Sequence, residues 1–531
     1  MNAFFTLQRI FLGLMTALVV IVLGNELFST LQESQIQDRL ELQQTRIVLQ
    51  ASAWQPGGSS PEQEELSQRL RSSVLGENPV GDALEKYQTI TAALQTNADA
   101  VDPLQWSQTE IDRLHLEQGL LEALNSSANQ SLAVGLEKAQ QQWQEVLQNP
   151  DGNPDQQQTS LILQGLWQNP PRLLPDAQET LTNELEGWFR YRSLERLYDI
   201  QQRPEAIVEL RDKEQMTVQR VLKQLFILTG LPLIGMGLGV ITFIGLLVRG
   251  LVQRWQNPRP DSSGSAATIA VMPPPPVPMT TPPMTIDSPW TVPWNAETIW
   301  QGVVLGFFLI GQIVVVRSLI PILALSFRSV VGISVFQTVK VQALLVVIVY
   351  GGMSIAVLTF FYFLLRPFWP LPSGWFRIRL EPKAIGWGIL GYFMALPLVT
   401  LVSFLNQQLW DGQGGSNPML FLALRNQDWF ALGCFFFTAA VLAPLFEEWL
   451  FRGFLMVSLT RYLPQFGAIL LSGLIFAVAH LSLSEILPLW TLGSILGYVY
   501  GRSQNLVSAI VLHSLWNSGT LIGLTVLGSH L

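Results

Sequence analysis

In the run Ala443-Pro444-Leu445-Phe446-Glu447-Glu448-Trp449-Leu450-Phe451-Arg452-Gly453, two adjacent carboxylates and an arginine interrupt one of the most apolar parts of the chain. Ionisable groups in such a setting are costly unless they pair or serve a site. If this run is helical, Glu448 and Arg452 are four apart and share a face, which predicts a charge-assisted pair. Glu447 then lies about 100° around the helix from Glu448. It is the acid left free to act as a base. Phe476-Ala477-Val478-Ala479-His480 places a histidine near the end of the next apolar segment, one turn beyond an aromatic. A lone histidine in that position is more often structural than catalytic. In Val511-Leu512-His513-Ser514-Leu515-Trp516-Asn517, however, His513 and Asn517 share one helical face at four-residue spacing. A carboxylate, two imidazoles and an amide in one polar cavity suit amide hydrolysis. They supply a base to activate water and donors for the oxyanion that forms on the scissile carbonyl.

Three apolar segments must bring these groups together: Trp429 to Phe446, Phe466 to Leu481 and Leu506 to Leu527. The stretch after Pro444 counts as a candidate further span. Between the histidines lies Ile486 to Tyr500, and on this intervening helix Gly493, Gly497 and Gly501, four apart, predict a packing seam that draws the catalytic helices together. Ile299 to Val316, Val341 to Leu365 and Ala384 to Phe404 precede them. Other membrane-protease signatures are missing. There is no His-Glu-x-x-His, and Ser472-Gly473 lacks the earlier glycine of a rhomboid-like serine motif.

Composition agrees with a bilayer environment, since 49% of the 531 residues are hydrophobic and only 13% are charged, against roughly a quarter in soluble proteins. Between Ser29 and Arg220 there are 29 acids and 15 bases, and elsewhere 10 acids and 16 bases, so the acidity belongs to one segment. No clustered basic stripe marks a nucleic-acid partner. The single cysteine, Cys434, excludes an intrachain disulfide and reads as a small apolar filler.

The expected fold is all-α: a polytopic transmembrane bundle with an N-terminal anchored, mainly α-helical soluble domain. Residues 1–28 form a membrane anchor, with Ile10 to Gly24 apolar and no clear small-x-small cleavage site. Residues 29–223 form a polar, Gln- and Glu-rich helical domain broken at Pro56-Gly57-Gly58, Asn149-Pro150-Asp151-Gly152 and Asn169-Pro170-Pro171. Its one histidine, His115, is expected at the surface. Residues 224–249 are a second span, followed by Arg249, Arg254 and Arg259, which mark the cytoplasmic side and put 29–223 outside the cytoplasm. Residues 250–293 are a Pro-rich cytoplasmic linker separating two apolar systems that can each pack alone. Residues 294–427 supply accessory spans, and 428–531 are the catalytic core.

The order Glu-Glu-x-x-x-Arg, Phe-x-x-x-His, His-x-x-x-Asn, with Ala443-Pro444 before the first motif and Phe451-Arg452-Gly453 within it, resembles the CaaX-protease and bacteriocin-processing family. All three motifs fall in order within residues 428 to 531, and the likeness does not extend to residues 1 to 290. The resemblance implies an intramembrane endopeptidase, similar to CaaX prenyl proteases, that cleaves a membrane-associated or prenylated protein or peptide. It gives Glu447 and His480 the activation of water, His513 and Asn517 the oxyanion, and Glu448 with Arg452 a supporting role. The family is commonly classed with metalloproteases, in which case Glu447, His480 and His513 would be the zinc ligands. Its motifs also suit a metal-free glutamate mechanism with no required cofactor, and we expect no tightly bound structural metal. The implied location is multi-pass in a bacterial cell membrane or a comparable internal membrane, with the lipid bilayer and a peptide substrate as partners. Two alternatives are a non-catalytic scaffold or immunity-type protein and a proton-coupled transporter, since buried acids and histidines also build proton relays.

Overall fold

The computed structural model describes residues 2–32, 37–55, 75–96, 106–128, 132–256, 290–331, 338–410, 414–415 and 428–528. The Pro56-Gly57-Gly58 break, Arg259 and residues 257–289 of the proline-rich stretch lie outside the described residues. Among the described residues the regular structure is helical, with no strand, in line with the all-α, polytopic expectation. The chain divides into two compact units. One comprises Met1–Leu31, Pro232–Gly414 and Asp428–Leu521, the other Gln32–Leu231, Gly415–Gln427 and Ile522–Leu531.

The first unit holds all or most of α1 (Asn2–Ser29), α2 (Leu231–Gln256), α3 (residues 296–331), α4 (Val339–Leu365), α5 (Pro382–Trp410), α6 (Trp429–Leu459), α7 (Gln465–Val478), α8 (Ile486–Ser503) and α9 (Leu506–Gly528). Seven described helices are long and apolar enough to cross a membrane. The stretches Phe466 to Leu481 and Ile486 to Tyr500 are not among those seven. With 14 residues at 1.5 Å each, α7 spans about 21 Å, short of a hydrocarbon core of about 30 Å. Nor does a new span begin after Pro444, because α6 is continuous through it. A π-helical turn, Thr438–Leu442, precedes the proline, which then occupies the start of the α-helical segment Ala443–Glu447. Changing register there lets the ladder tolerate the missing proline N–H.

Close backbone approach holds the catalytic helices together, as small residues do where lipid supplies no hydrophobic drive. A Cβ on Gly493 would stand 3.0 Å from Gly473 Cα, so α7 and α8 touch backbone to backbone. Gly497 packs on Ile469 and Met456, and Gly501 on Gln465, which bears out the seam. On α2, Gly239 leaves no room for a Cβ beside Phe393 O and Pro397 of α5. Helix α1 contributes Val19 and Leu23 to the same apolar core, accepts on Thr16 Oγ1 from Trp300 Nε1 at 3.0 Å, and pairs Glu26 with Arg317 of α3. Both N-terminal spans therefore fall in the unit that holds the catalytic helices.

That unit also reclaims the end of the presumed linker. Trp290 stacks on Tyr500 at 5.5 Å, and Trp294 is buried between Trp375 and Phe454, with its Nε1 donating to Ser458 Oγ at 2.9 Å. Among the described residues, Trp290, assigned to the linker from sequence, is thus packed in this unit.

The second unit stacks Gln37–Ser52, Pro79–Thr96, Gln108–Ala128, Leu132–Gln148, Pro154–Trp167, Ala177–Glu184, Gly187–Ile200 and Pro204–Leu225. Helices stop at both described proline-containing breaks. Its core carries Trp143, Leu163, Leu181, Phe189 and Leu197. Arg46 bonds Glu117, which also accepts from Tyr87 at 2.7 Å. Burial alone would raise the Glu110 carboxyl, but the two-pronged bond from Arg39 and the donors of Ser107 outweigh it and hold that group down to about 2. His115 is buried, not at the surface, with Nδ1 2.6 Å from Gln142 Oε1. Its helix is covered on more than one side, so positions a single-faced periodicity would expose are interior.

Candidate active site

The two glutamates close the short α-helical segment of α6 and open a second π-helical one, Glu448–Met456. Such segments are frequent where function requires a side chain out of ordinary register. Glu448 and Arg452 are fully buried and paired, with Nη1 donating to Oε1 at 2.7 Å, as the four-residue spacing predicts. Arg452 Nη2 also donates to Gly493 O at 3.0 Å, and the guanidinium lies 4.5 Å over the Phe476 ring. The pair thus ties α6 to α8 and α7. Pairing and ring contact offset the large cost of burying a charge.

His513 shares the same glutamate oxygen, with Nδ1 2.7 Å from Glu448 Oε1. A carboxylate that also accepts from arginine has only acceptor capacity, so Nδ1 carries the hydrogen. The opposite ring nitrogen, Nε2, stands 3.9 Å from Glu447 Oε2. That oxygen is buried and has no hydrogen-bond partner among the described residues, while Glu447 Oε1 accepts from Tyr350 OH at 2.7 Å. Tyr350 sits in the apolar run of α4 and escapes a search for charged motifs. Its only signal in the sequence is a hydroxyl in the middle of a span.

His480 falls just beyond α7, two residues after Val478, and its Nδ1 is 2.8 Å from Phe476 O. A carbonyl can only accept, so Nδ1–H donates and Nε2 keeps its lone pair. The next residue, Leu481, has a φ of +54°, a left-handed conformation costing about 1–3 kcal/mol off glycine. That turn ends the helix at the histidine. Phe476 is the hub of the site, 4.8 Å from the His480 ring and 5.7 Å from the His513 ring, centroid to centroid. His480 pairs with neither glutamate among the described residues.

Asn517 is used differently from its sister groups. Its Nδ2 donates to Ala439 O at 2.7 Å. In the π register of this turn Ala443 N–H bonds Thr438 O, so the next carbonyl, Ala439 O, would fall to residue 444. Residue 444 is proline and has no hydrogen to give. Asn517 supplies it, leaving a second amide N–H uncommitted to that bond. Glu447, Glu448, Arg452 and His513 therefore meet directly, His480 joins through Phe476, and Asn517 is attached to the backbone of α6.

The possible zinc set Glu447, His480 and His513 does not assemble. Among the described residues no three His, Cys, Asp or Glu side chains are grouped closely enough to hold an ion. The donor set as arranged does not fit a zinc centre.

Residues 429–519 match the family described as Type II CAAX prenyl endopeptidase Rce1-like. The chain is also similar to the membrane-embedded CAAX protease MroQ of Staphylococcus aureus, strain USA300, with 28% identity over 152 residues. That alignment covers 27% of this chain and 60% of the relative. No solved structure matches. Through its C-terminal helices the chain is therefore similar to CAAX prenyl endopeptidases over residues 429–519, and it spans less than two thirds of the length of the curated relative that it matches. It is an integral, multi-pass membrane protein.

Proposed function

We propose that this protein is an intramembrane endopeptidase that hydrolyses a peptide bond of a membrane-associated protein or peptide. The observation that carries the reading is the division of labour between neighbouring glutamates. Each glutamate keeps one buried oxygen without a partner among the described residues, but Glu448 is tied through its other oxygen to Arg452 and His513, whereas Glu447 carries no cation and its free oxygen stands 3.9 Å from His513 Nε2. In this mechanism Glu447, assisted by His480, takes a proton from water as the oxygen attacks the scissile carbonyl, and later returns it to the leaving amine. His513 and the second N–H of Asn517 receive the developing oxyanion. Because Nδ1–H is committed to Glu448, His513 can donate from Nε2 only when doubly protonated.

The names of the family and of the relative refer to CaaX substrates, so prenylated peptides form one arm of the test and unmodified membrane peptides the other. Purified full-length protein in lipid should cleave at least one arm, and Glu447→Gln should abolish that cleavage. Cleavage that survives Glu447→Gln would sink the mechanism. A wild-type protein that cleaves neither arm would favour a packing role for the buried cluster.

A further inference from the structure

The protease motifs leave one group at the site unaccounted for. Tyr350, on α4, is the only hydrogen-bond donor that reaches Glu447 in the described structure, and it comes from a helix outside the three that carry the motifs. Its ring stands edge-on to Phe446, 6.2 Å between centroids and 88° between planes, which fixes where the hydroxyl points. The hydroxyl then occupies one oxygen of the carboxylate and leaves the other free.

The terminal torsion of a glutamate is broad and roughly two-fold, so a carboxylate held only by its stem can turn either oxygen in many directions. A short bond to Oε1 removes that freedom and aims Oε2 at His513 Nε2, 3.9 Å away. This distance is too long for a direct bond between them. It suits a single water oxygen bonded to both at about 2.8 Å each. We propose that Tyr350 is a positioning residue for proteolysis: through its bond to Glu447 it fixes Glu447 Oε2 on the attacking water, which rests against His513 Nε2 until the substrate carbonyl oxygen takes that nitrogen. The inference rests on the protease reading, and it adds a fourth helix, α4, to the catalytic machinery. No bond to Tyr350 forms or breaks in the reaction; the proton travels from water to Glu447.

Three variants in the full chain separate positioning from packing. Tyr350→Phe keeps the ring against Phe446 and loses only the hydroxyl, whereas Tyr350→Leu loses both. A positioning role lowers kcat in Tyr350→Phe by about ten- to a hundredfold with KM little changed, the scale expected when a reacting group is misplaced by about an ångström. A packing role predicts that Tyr350→Phe matches the wild type and that only Tyr350→Leu falls. Wild-type kcat in Tyr350→Phe, in a protein whose cleavage is lost in Glu447→Gln, overturns the proposal and leaves the protease reading standing. A readout independent of turnover is the infrared carboxylate band of Glu447, assigned by subtracting the Glu447→Gln spectrum. Tyr350→Phe should shift that band. An unshifted band overturns the proposal even if the wild-type protein cleaves nothing, an outcome that would bear on the protease reading alone.

Discussion

Glu447 and Glu448 are adjacent in sequence and differ in nearly everything around them. One oxygen of Glu448 accepts from both Arg452 and His513. Glu447 accepts from Tyr350 instead; both keep a second buried oxygen unpartnered among the described residues, and that of Glu447 stands 3.9 Å from His513 Nε2. Substitution should separate them. Glu447→Gln retains volume and is expected to leave thermal unfolding in detergent nearly unchanged while abolishing turnover. Glu448→Gln strands a buried guanidinium, a change that typically costs about 3–5 kcal/mol. It should lower the unfolding temperature as well as activity, and adding Arg452→Gln should recover part of the stability but none of the turnover. A stable, inactive Glu448→Gln beside an active Glu447→Gln would reverse the assignment.

At the scale of elements, the path of α6 depends on a compensation between Pro444 and Asn517. The proline removes the hydrogen that the π register assigns to Ala439 O, and an amide from α9 replaces it. Asn517→Leu should leave that carbonyl unsatisfied at a cost of about 1–3 kcal/mol. Pro444→Ala in the same chain restores a backbone N–H and should return much of the loss. Unfolding curves of the single and double variants test this directly, and strict additivity would refute the compensation. If Asn517 also serves the oxyanion, activity should stay low in the double variant after stability has returned.

The whole molecule combines a membrane unit with an acidic helical unit, and we propose that they answer to different conditions. In the helical unit Glu110 titrates at about 2 when folded, below its ordinary value of 4.5. A carboxyl depressed on folding contributes stability that is complete above the unfolded value and disappears as pH falls through the folded one. Protection of helix Gln108–Ala128 against hydrogen exchange in the full chain should therefore decline between about pH 4.5 and pH 2. Arg39→Met should flatten that decline, and an unchanged pH profile would show that the Arg39 pair does not set it. For orientation, we propose residues 29–223 outside the cytoplasm and the proline-rich linker inside. Cysteine labels placed at Gln140 and at Ser262 should react from opposite sides of the membrane, and labelling from one side would refute the arrangement.

The local spacing of residues was enough to settle several features. Four-residue intervals paired Glu448 with Arg452 and aligned Gly493, Gly497 and Gly501 as a seam, because a helix fixes which side chains share a face before any partner is chosen. Apolar run lengths separated membrane from polar segments, because a span must satisfy its backbone internally over a fixed thickness. What lay opposite each face was decided only by tertiary structure. His513 turned to Glu448, Asn517 to a carbonyl freed by a proline on another helix, and His115 inward to Gln142. The hydroxyl of Tyr350, 97 residues from Glu447 along the chain, reached the carboxylate only through packing of α4 against α6. Hydrogen bonds of that kind depend on ångström distances between helices, and no periodicity within a single helix encodes such distances.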